Sequence, residues 1–318
     1  KNGSKIIDEM KKEIREADGN VPFIKKLFAH KNPLYKIIMD KNLGMDKLDY
    51  LERDVYHIGF GQRPDIESVF NYLSYMKDGL VIDKKSLEAA KQIQRLYMYM
   101  YKEVYLHKSS LIGKRFLQKM VSIWMSLHRI NPKELWALSD HELLAKIYTD
   151  NDERLKFLYS SYIQRILPST GLVFRLGGKI SSERVAGKKI KVLTEDRRFF
   201  DQIAAHASPQ GLSLIEDEIA QLLEVPPHMI LVVPTLAIRR FIPQDISYHD
   251  EGKIFSLRET KPEYFESLSS ELDGYLAVRI SIVGDRGLVF DNAPKIHQLI
   301  KRLISESPIV PKNLKLKF

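Results

Sequence analysis

The stretch Gly44-Met45-Asp46-Lys47-Leu48-Asp49-Tyr50-Leu51-Glu52-Arg53-Asp54-Val55-Tyr56-His57-Ile58-Gly59 predicts an amphipathic helix. A helix turns by about 100° per residue, so side chains three and four positions apart share a face. One face is apolar and is expected to pack against a core: Leu48, Leu51, Val55 and Ile58. The opposite face is polar and mixed: Asp46, Tyr50, Arg53 and His57, flanked by Lys47, Asp49 and Asp54.

The polar face has two interpretations. One is a solvated helix surface with ordinary salt bridges. The other is a ligand site, because a carboxylate, a phenol, a guanidinium and an imidazole together suit metal, phosphate and sugar. A face that is only solvated is more often made of Lys, Glu and Gln, so the mixture favours a site.

The motif MDKLDYLERDVYHIGF resembles the last motif of the HD-domain phosphohydrolases, in the branch that contains the deoxynucleoside triphosphate triphosphohydrolases. That branch carries an Asp followed by Lys-x-Asp-Tyr, then Arg-Asp, then a Gly. A fainter likeness continues in the Val104 to Lys108 stretch and in the apolar Ile230 to Pro234 run. The resemblance implies a nucleotide phosphohydrolase that uses a divalent cation, with Mg, Mn, Fe, Ni and Zn not distinguished.

The resemblance also implies roles for single residues. Asp46 corresponds to a catalytic, metal-binding Asp, and Lys47 to a catalytic Lys that contacts phosphate. Tyr50 corresponds to a residue beside the sugar and Asp54 to a carboxylate near the 3′-hydroxyl. The remaining substrate-binding candidates are Arg53, His107 and Lys108.

The family's other metal ligands, a His and an adjacent His-Asp pair, should precede Asp46, where the sequence has only His30. The single His-Asp pair, His249-Asp250, lies in a stretch predicted as a loop or strand edge, and we interpret it as a coincidence. One carboxylate does not make a metal site. We therefore expect either a fragment that lacks the upstream ligands or a member without catalysis, and no tightly bound metal in this chain alone. The opening Lys1-Asn2-Gly3-Ser4, which begins a helical pattern without an initiator Met or signal peptide, favours the fragment.

Composition is that of a globular protein of about two domains, with 318 residues, 44% hydrophobic and 29% charged. The absence of cysteine excludes disulfides, thiolate zinc sites and cysteine nucleophiles, and suits a cytoplasmic protein. No apolar run approaches the ~18 residues of a membrane span. The net charge of +9 favours anionic partners. Its basic clusters are Lys188-Lys189-Ile190-Lys191, Arg197-Arg198, Arg239-Arg240 and Lys312 to Lys317, and most are interpreted as solvated surface.

The pattern predicts a fold that is mostly α, HD-domain-like, over residues 1–168, followed by an α+β carboxy-terminal domain over 169–318. Residues 1 to about 165 are predicted as almost entirely helical, with a long amphipathic run from Lys85 to Trp124. Asn151 or Asp152 is predicted to cap the helix that follows. Strands are then predicted at 172–176, 190–193, 229–233, 253–257, 275–283 and 288–290. Further helices are predicted at 199–205, 213–223 and 293–305.

The leading hypothesis is therefore a metal-dependent HD-type phosphohydrolase acting on deoxynucleoside triphosphates, with this chain inactive by itself. The alternative is a non-catalytic module on the same fold that binds nucleotide or nucleic acid. The expected partners are a nucleotide substrate, a nucleotide effector and further copies of the chain in a homo-oligomer. A nucleic acid is a weaker candidate and a membrane is not expected.

Overall fold

The computed structural model describes residues 2–61, 63–76, 79–177, 182–185, 188–236 and 242–305. The chain separates into two compact units. The first unit contains residues 1–101 and 241–270, and the second contains residues 102–240 and 271–318. The predicted fold class is confirmed, since a helical region precedes a mixed region that starts with a strand at Ser169. The division into domains at residue 168 stays a prediction.

The helices follow the chain as α1 (Asn2–Glu9), α2 (Lys11–Glu16), α3 (Val21–Phe28), α4 (Tyr35–Met39), α5 (Met45–His57), α6 (Ile66–Asn71), α7 (Leu87–Met100), α8 (Lys108–His128), α9 (Pro132–Leu135), α10 (Asp140–Tyr148), α11 (Glu153–Ile163), α12 (Arg197–Ala205), α13 (Pro209–Leu223), α14 (Leu257–Thr260), α15 (Pro262–Asp273), α16 (Gly287–Asp291) and α17 (Ala293–Ser305). A π-helical turn, Tyr101–Tyr105, follows α7. The strands are β1 (Leu73–Met76), β2 (Gly79–Asp83), β3 (Ser169–Leu176), β4 (Ser182–Val185), β5 (Lys188–Glu195), β6 (Ile230–Thr235), β7 (Ser247–Asp250), β8 (Lys253–Ser256) and β9 (Ala277–Ile282).

The first unit contains a four-stranded sheet in the order β1-β2-β7-β8. β1 and β2 are antiparallel, β2 and β7 are parallel, and β7 and β8 are antiparallel. β1 and β2 correct the prediction that residues 1 to about 165 are almost entirely helical. Their partner strand β7 comes from more than 160 residues later in the chain, so a local pattern does not reveal this pairing.

Helix α5 confirms the predicted motif helix and most of its apolar face. Leu48, Leu51 and Val55 are fully buried. Ile58, which was expected to pack with them, is 45% exposed. The helix ends at His57, and Ile58 is its carboxy-terminal cap. Ile58 therefore lies one residue beyond the helical segment whose apolar face is buried.

The run from Lys85 to Trp124 is divided. α7 gives way to the π-helical turn, and α8 starts after His107, whose Nδ1 accepts a hydrogen bond from the Ser109 backbone N–H. In α7, Leu96, Tyr97, Met98 and Met100 are buried, whereas Tyr99 is 41% exposed.

The second unit contains a five-stranded sheet in the order β4-β5-β3-β9-β6. β3 is parallel to β5 and antiparallel to β9, and β6 is antiparallel to β9. Helices α13 and α8 contact β6. Asp152 accepts hydrogen bonds from the backbone N–H groups of Arg154 and Leu155, so of the two predicted candidates Asp152, and not Asn151, caps α11.

Residues 288–290 were predicted as a strand, which is wrong, because they form the helix α16. This helix packs on β3 at Gly171. A Cβ atom at Gly171 would lie 2.7 Å from the Arg286 carbonyl oxygen and from the Val289 Cβ. The apolar Leu-Val-Phe run suits either structure, and close contact with β3 decides for the helix. Among the described residues, none of the helices has the length and hydropathy to cross a bilayer.

Candidate functional site

The start of α5 is fixed by a hydrogen-bonded turn. The Asp40 carboxylate accepts from the backbone N–H groups of Asn42 and Leu43, at 2.8 and 2.9 Å. A Cβ atom at Gly44 would lie 2.5 Å from the Asp40 backbone nitrogen, so only glycine allows this approach. The turn therefore sets where the polar face of α5 begins.

Asn42 ties that turn to distant parts of the first unit. Its side chain is buried and donates to the Asp245 carbonyl oxygen at 2.7 Å. Its amide oxygen accepts from the Gln94 side chain at 3.1 Å and from the Gln244 backbone N–H at 3.0 Å. Every hydrogen-bonding group of this buried amide that is described has a partner, which makes the start of α5 a rigid point.

Lys47 is half-buried beside an aromatic ring. Its ammonium nitrogen lies 3.3 Å from the centroid of the Tyr97 ring, and it donates a hydrogen bond to the Lys41 carbonyl oxygen. Burial lowers the pKa of Lys47 to about 7, and the nearby Asp40 carboxylate opposes that shift. Desolvation disfavours a charged ammonium, and an anion next to it restores the charge.

Three tyrosine hydroxyls meet next to this lysine. Hydrogen bonds join the Tyr97 hydroxyl to the hydroxyls of Tyr50 and Tyr101. Burial, with smaller effects from Tyr101 and the carboxylates Asp46 and Asp54, raises the pKa of Tyr50 to about 12. The Tyr50 phenol is therefore protonated at neutral pH and can donate as well as accept.

The other predicted residues of α5 differ in exposure. Asp46 is exposed in the first turn of the helix, and Asp54 is half-buried. Arg53 is exposed and pairs with Asp49 one turn earlier. His57, in the last turn, contacts the Tyr56 ring edge-on. The structure thus brings Lys47 and Tyr50 together on the tyrosine cluster, with Asp46 and Asp54 close enough to raise the Tyr50 pKa.

The described residues do not provide a metal centre. Within the described ranges, no group of three or more His, Cys, Asp or Glu side chains is arranged to hold a metal ion. His249 and Asp250 lie in β7, where Asp250 pairs with Lys84 at 2.6 Å. Asp46 therefore has too few potential ligands among the described residues to form a site for a divalent cation with them.

His107 and Lys108 belong to the second unit. His107 is exposed and serves as the amino-terminal cap of α8, and Lys108 is half-buried as its first residue. Three of the predicted basic clusters include parts outside the described residues: the side chains of Lys188 and Lys189, all of Arg239-Arg240, and all of Lys312 to Lys317.

The sequence reasoning missed a buried charge cluster in the second unit. The Glu216 carboxylate is fully buried and accepts from Arg115 at 2.8 Å, from Lys119 at 2.9 Å and from the Val232 backbone N–H at 2.9 Å. Lys119 also donates to the carbonyl oxygens of Pro227 and Ile230, at 2.7 and 2.6 Å. The only sign of this cluster in the sequence is that Glu216 lies on the apolar face of α13. The hydrophobic pattern alone does not show whether such a glutamate is buried or solvated.

Tyr97 was also missed as a part of the site. Tyr97 is 9% exposed, and apolar or aromatic residues on all sides of the Leu96 to Tyr101 segment are typical of core packing. Its contact with Lys47 depends on α7 lying against α5, which no local spacing reveals.

Comparison with known proteins relates the chain to HD-domain proteins. Residues 65–208, less than half of the chain, match the model of a family described as the HD associated region. The matched range begins after α5 and includes His107 and Lys108. A protein of Bacillus subtilis (strain 168), Uncharacterized protein YwfO, is 23% identical over 138 residues. That match covers 41% of this chain and 32% of the relative, so the chain aligns with about a third of its length.

Two solved structures have a similar fold. A phosphohydrolase from Bacteroides thetaiotaomicron VPI-5482 superposes with a TM-score of 0.57 at 19% identity, covering 88% of this chain and 71% of that one. A hypothetical protein from Aquifex aeolicus superposes with a TM-score of 0.59 at 17% identity, covering 92% and 70%. At these identities the likeness is one of fold. Together with the family match, it supports an HD-domain-related family.

Proposed function

We propose that this chain is the nucleotide-binding part of a metal-dependent HD-type phosphohydrolase whose substrate is a deoxynucleoside triphosphate. The observation that supports this most directly is that Lys47 and Tyr50, both on α5, contact the same side chain, Tyr97 of α7. The Lys47 ammonium offers charge to phosphates, and the protonated Tyr50 phenol offers a hydrogen bond to a sugar hydroxyl. Lys47 neutralises the phosphates through charge-assisted hydrogen bonds, which are the stronger kind.

The remaining residues have subsidiary roles in this proposal. Tyr50 packs beside the sugar, and Asp54 accepts a hydrogen bond from its 3′-hydroxyl. Arg53 is a further candidate for contact with the substrate, and the roles of His107 and Lys108, in the second unit, stay predictions. Asp46 is the one metal-binding carboxylate offered by this motif, and the other described residues do not complete a ligand group.

A second function is a regulatory module that binds nucleotide without hydrolysing it. One observation favours it: among the residues that the structure describes, no three acidic or histidine side chains converge on a cation position. Lys47 and Tyr50 of α5 would then bind the nucleotide without any catalysis.

A hydrolysis assay distinguishes the two functions. The product of the whole gene is tested on a panel of ribo- and deoxynucleoside triphosphates in the presence of divalent metal salts. The proposal expects turnover that Asp46→Ala abolishes. Tyr50→Ala should change the preference between ribose and deoxyribose more than it changes metal dependence. Retained nucleotide binding without hydrolysis of any phosphorylated substrate would favour the regulatory module.

Asp49→Ala is the matched control on the same helix. Asp49 is exposed, its carboxylate pairs only across the surface with Arg53, and the proposal gives it no role. Its turnover should stay within about fivefold of wild type, since exposed pairs of this kind contribute about 0–1 kcal/mol. Equal losses in Asp46→Ala and Asp49→Ala would show that the charge of α5, rather than a ligand position, matters.

The proposal extends to an effector nucleotide and to a homo-oligomer. Light scattering during size-exclusion chromatography, with and without a nucleoside triphosphate, measures both. A monomer whose mass does not respond to any nucleotide would remove this extension and leave the substrate proposal intact.

A further inference from the structure

Tyr97 contacts both Lys47 and Tyr50. Its ring face lies 3.3 Å from the Lys47 ammonium nitrogen, and its hydroxyl is hydrogen-bonded to the Tyr50 hydroxyl. Lys47 and Tyr50 are one turn apart on α5, whereas Tyr97 comes from α7. A single side chain from a second helix therefore contacts the groups proposed to bind the phosphates and the sugar.

Tyr97 is itself held in place. It is 9% exposed, and its ring lies against the ring of Tyr101, with centroids 4.5 Å apart and planes at 59°. The two hydroxyls are hydrogen-bonded as well. Tyr101 begins the π-helical turn, a rare distortion that is frequent at functional sites. A ring fixed by packing and by two hydroxyl partners can position its neighbours.

The two contacts of Tyr97 act on different groups. A lysine side chain has four rotatable methylene bonds and is held poorly by a single carbonyl oxygen. An aromatic face adds an attraction of about 0.5–2 kcal/mol and restricts where the ammonium lies. The hydroxyl of Tyr97, in contrast, is hydrogen-bonded to the Tyr50 phenol.

We propose that Tyr97 is a positioning residue of the nucleotide site, with its ring face holding Lys47 towards the phosphates and its hydroxyl holding Tyr50 towards the sugar. This inference rests on the proposed function, because it assigns Tyr97 to the same site. It predicts that substitutions can distinguish the effect of the Tyr97 ring on phosphate binding from the effect of its hydroxyl on sugar binding.

The test compares Tyr97→Phe and Tyr97→Leu in the full chain, with dATP and inorganic tripolyphosphate as ligands in calorimetric titrations. Tyr97→Phe keeps the ring and loses the hydroxyl, so dATP should bind about 3- to 10-fold more weakly while tripolyphosphate, which has no sugar, is bound within about twofold of wild type. Tyr97→Leu loses both, so both ligands should bind about 5- to 30-fold more weakly. A residue with a packing role alone would not separate the two ligands.

A spectroscopic signal tests the lysine contact without any nucleotide. In protein labelled with ¹³C-lysine, the ring current of Tyr97 should shift the Lys47 ε-methylene signals upfield, with Lys47→Arg used for assignment. Tyr97→Phe should keep the upfield shift and Tyr97→Leu should abolish it. An unshifted Lys47 in the wild-type protein would overturn the inference, even if Tyr97→Leu fails to fold.

Tyr99→Leu is the control, since Tyr99 lies two residues away on α7, is 41% exposed and stacks on Phe60 instead. It should leave both affinities and the Lys47 signals unchanged. Weaker tripolyphosphate binding by Tyr97→Phe to the same degree as dATP binding would contradict the inference. A wild-type chain that binds neither ligand would refute the proposed function, and the Lys47 signals would still decide whether Tyr97 holds that lysine.

Discussion

Lys47 in the first unit and Lys119 in the second are two lysines whose pKa is lowered by burial, yet their surroundings differ. The Lys119 ammonium donates to the Glu216 carboxylate and to two backbone carbonyl oxygens. The Lys47 ammonium donates to one carbonyl oxygen and otherwise faces the Tyr97 ring. An ammonium has three donor hydrogens, so Lys119 uses all of them within the fold.

The difference separates a structural cation from one suited to a ligand. Lys119 has a buried counter-ion and complete hydrogen bonding, which leaves no donor for an incoming anion. Lys47 has donors to spare among its described contacts and lies on a helix whose amino-terminal turn attracts negative charge. We infer that burial and a lowered pKa do not by themselves identify a lysine that binds a ligand. The number of ammonium hydrogens that already have acceptors within the fold is the better criterion.

The largest expected effect is that of Glu216→Gln. The substitution removes the one carboxylate described between Arg115 and Lys119, leaving buried positive charges without compensation. It should lower the free energy of unfolding by about 3–5 kcal/mol in urea denaturation. Glu218→Gln, two residues along α13 and facing Arg302 across the surface at 3.8 Å, is the control and should cost less than about 1 kcal/mol. Similar losses in both would show that Glu216 is not the counter-ion of a buried cluster.

Leu51→Ala tests what holds α5 in place. Leu51 is fully buried on the apolar face, so truncation should cost about 2–5 kcal/mol by lost burial and a residual cavity. Ile58→Ala, at the exposed end of the same predicted stripe, should cost well under half as much. Thermal and urea unfolding of the two variants provide the measurement, and a larger loss at Ile58 would contradict the observed end of α5.

Lys47→Ala should affect binding more than stability. Loss of a charge-assisted contact should weaken tripolyphosphate binding by about 10- to 100-fold, corresponding to about 1.5–3 kcal/mol. The loss of the contact with the Tyr97 ring should cost about 1 kcal/mol of folding stability. Lys41→Ala, which removes an exposed ammonium and keeps the carbonyl oxygen that accepts from Lys47, should change neither quantity. A loss of stability as large as that of Glu216→Gln would place Lys47 with Lys119 as a structural cation.

Asp46→Ala should have the smallest effect on stability. Its carboxylate is exposed in the first turn of α5, where the helix dipole contributes about 0.3–1 kcal/mol. Calorimetric melting of Asp46→Ala, Asp46→Asn and Leu51→Ala measures the ranking. If Asp46→Ala were the most destabilising of the three, Asp46 would be a structural residue and its assignment as a metal ligand would be wrong.

Hydrophobic periodicity and capping residues correctly predicted helices and caps that are specified by nearby residues in the sequence. The helix Ala293–Ser305 has the predicted bounds, Asp152 caps α11 as predicted, and the core face of α5 holds for Leu48, Leu51 and Val55. Periodicity and capping are local properties, so they can be read from a single segment. The roles of the candidate site residues on α5 stay predictions.

The sequence by itself therefore determined the motif helix, the change from helices to mixed structure near Ser169, and the likeness to HD-domain proteins. The tertiary structure decided what those elements touch. It pairs β2 with a strand 160 residues away, folds residues 287–291 as a helix against Gly171, and buries Glu216 between Arg115 and Lys119. It also sets Lys47 on the Tyr97 ring. Each of these contacts joins residues far apart in the chain, and their energies depend on burial and on the partner, which no local spacing contains.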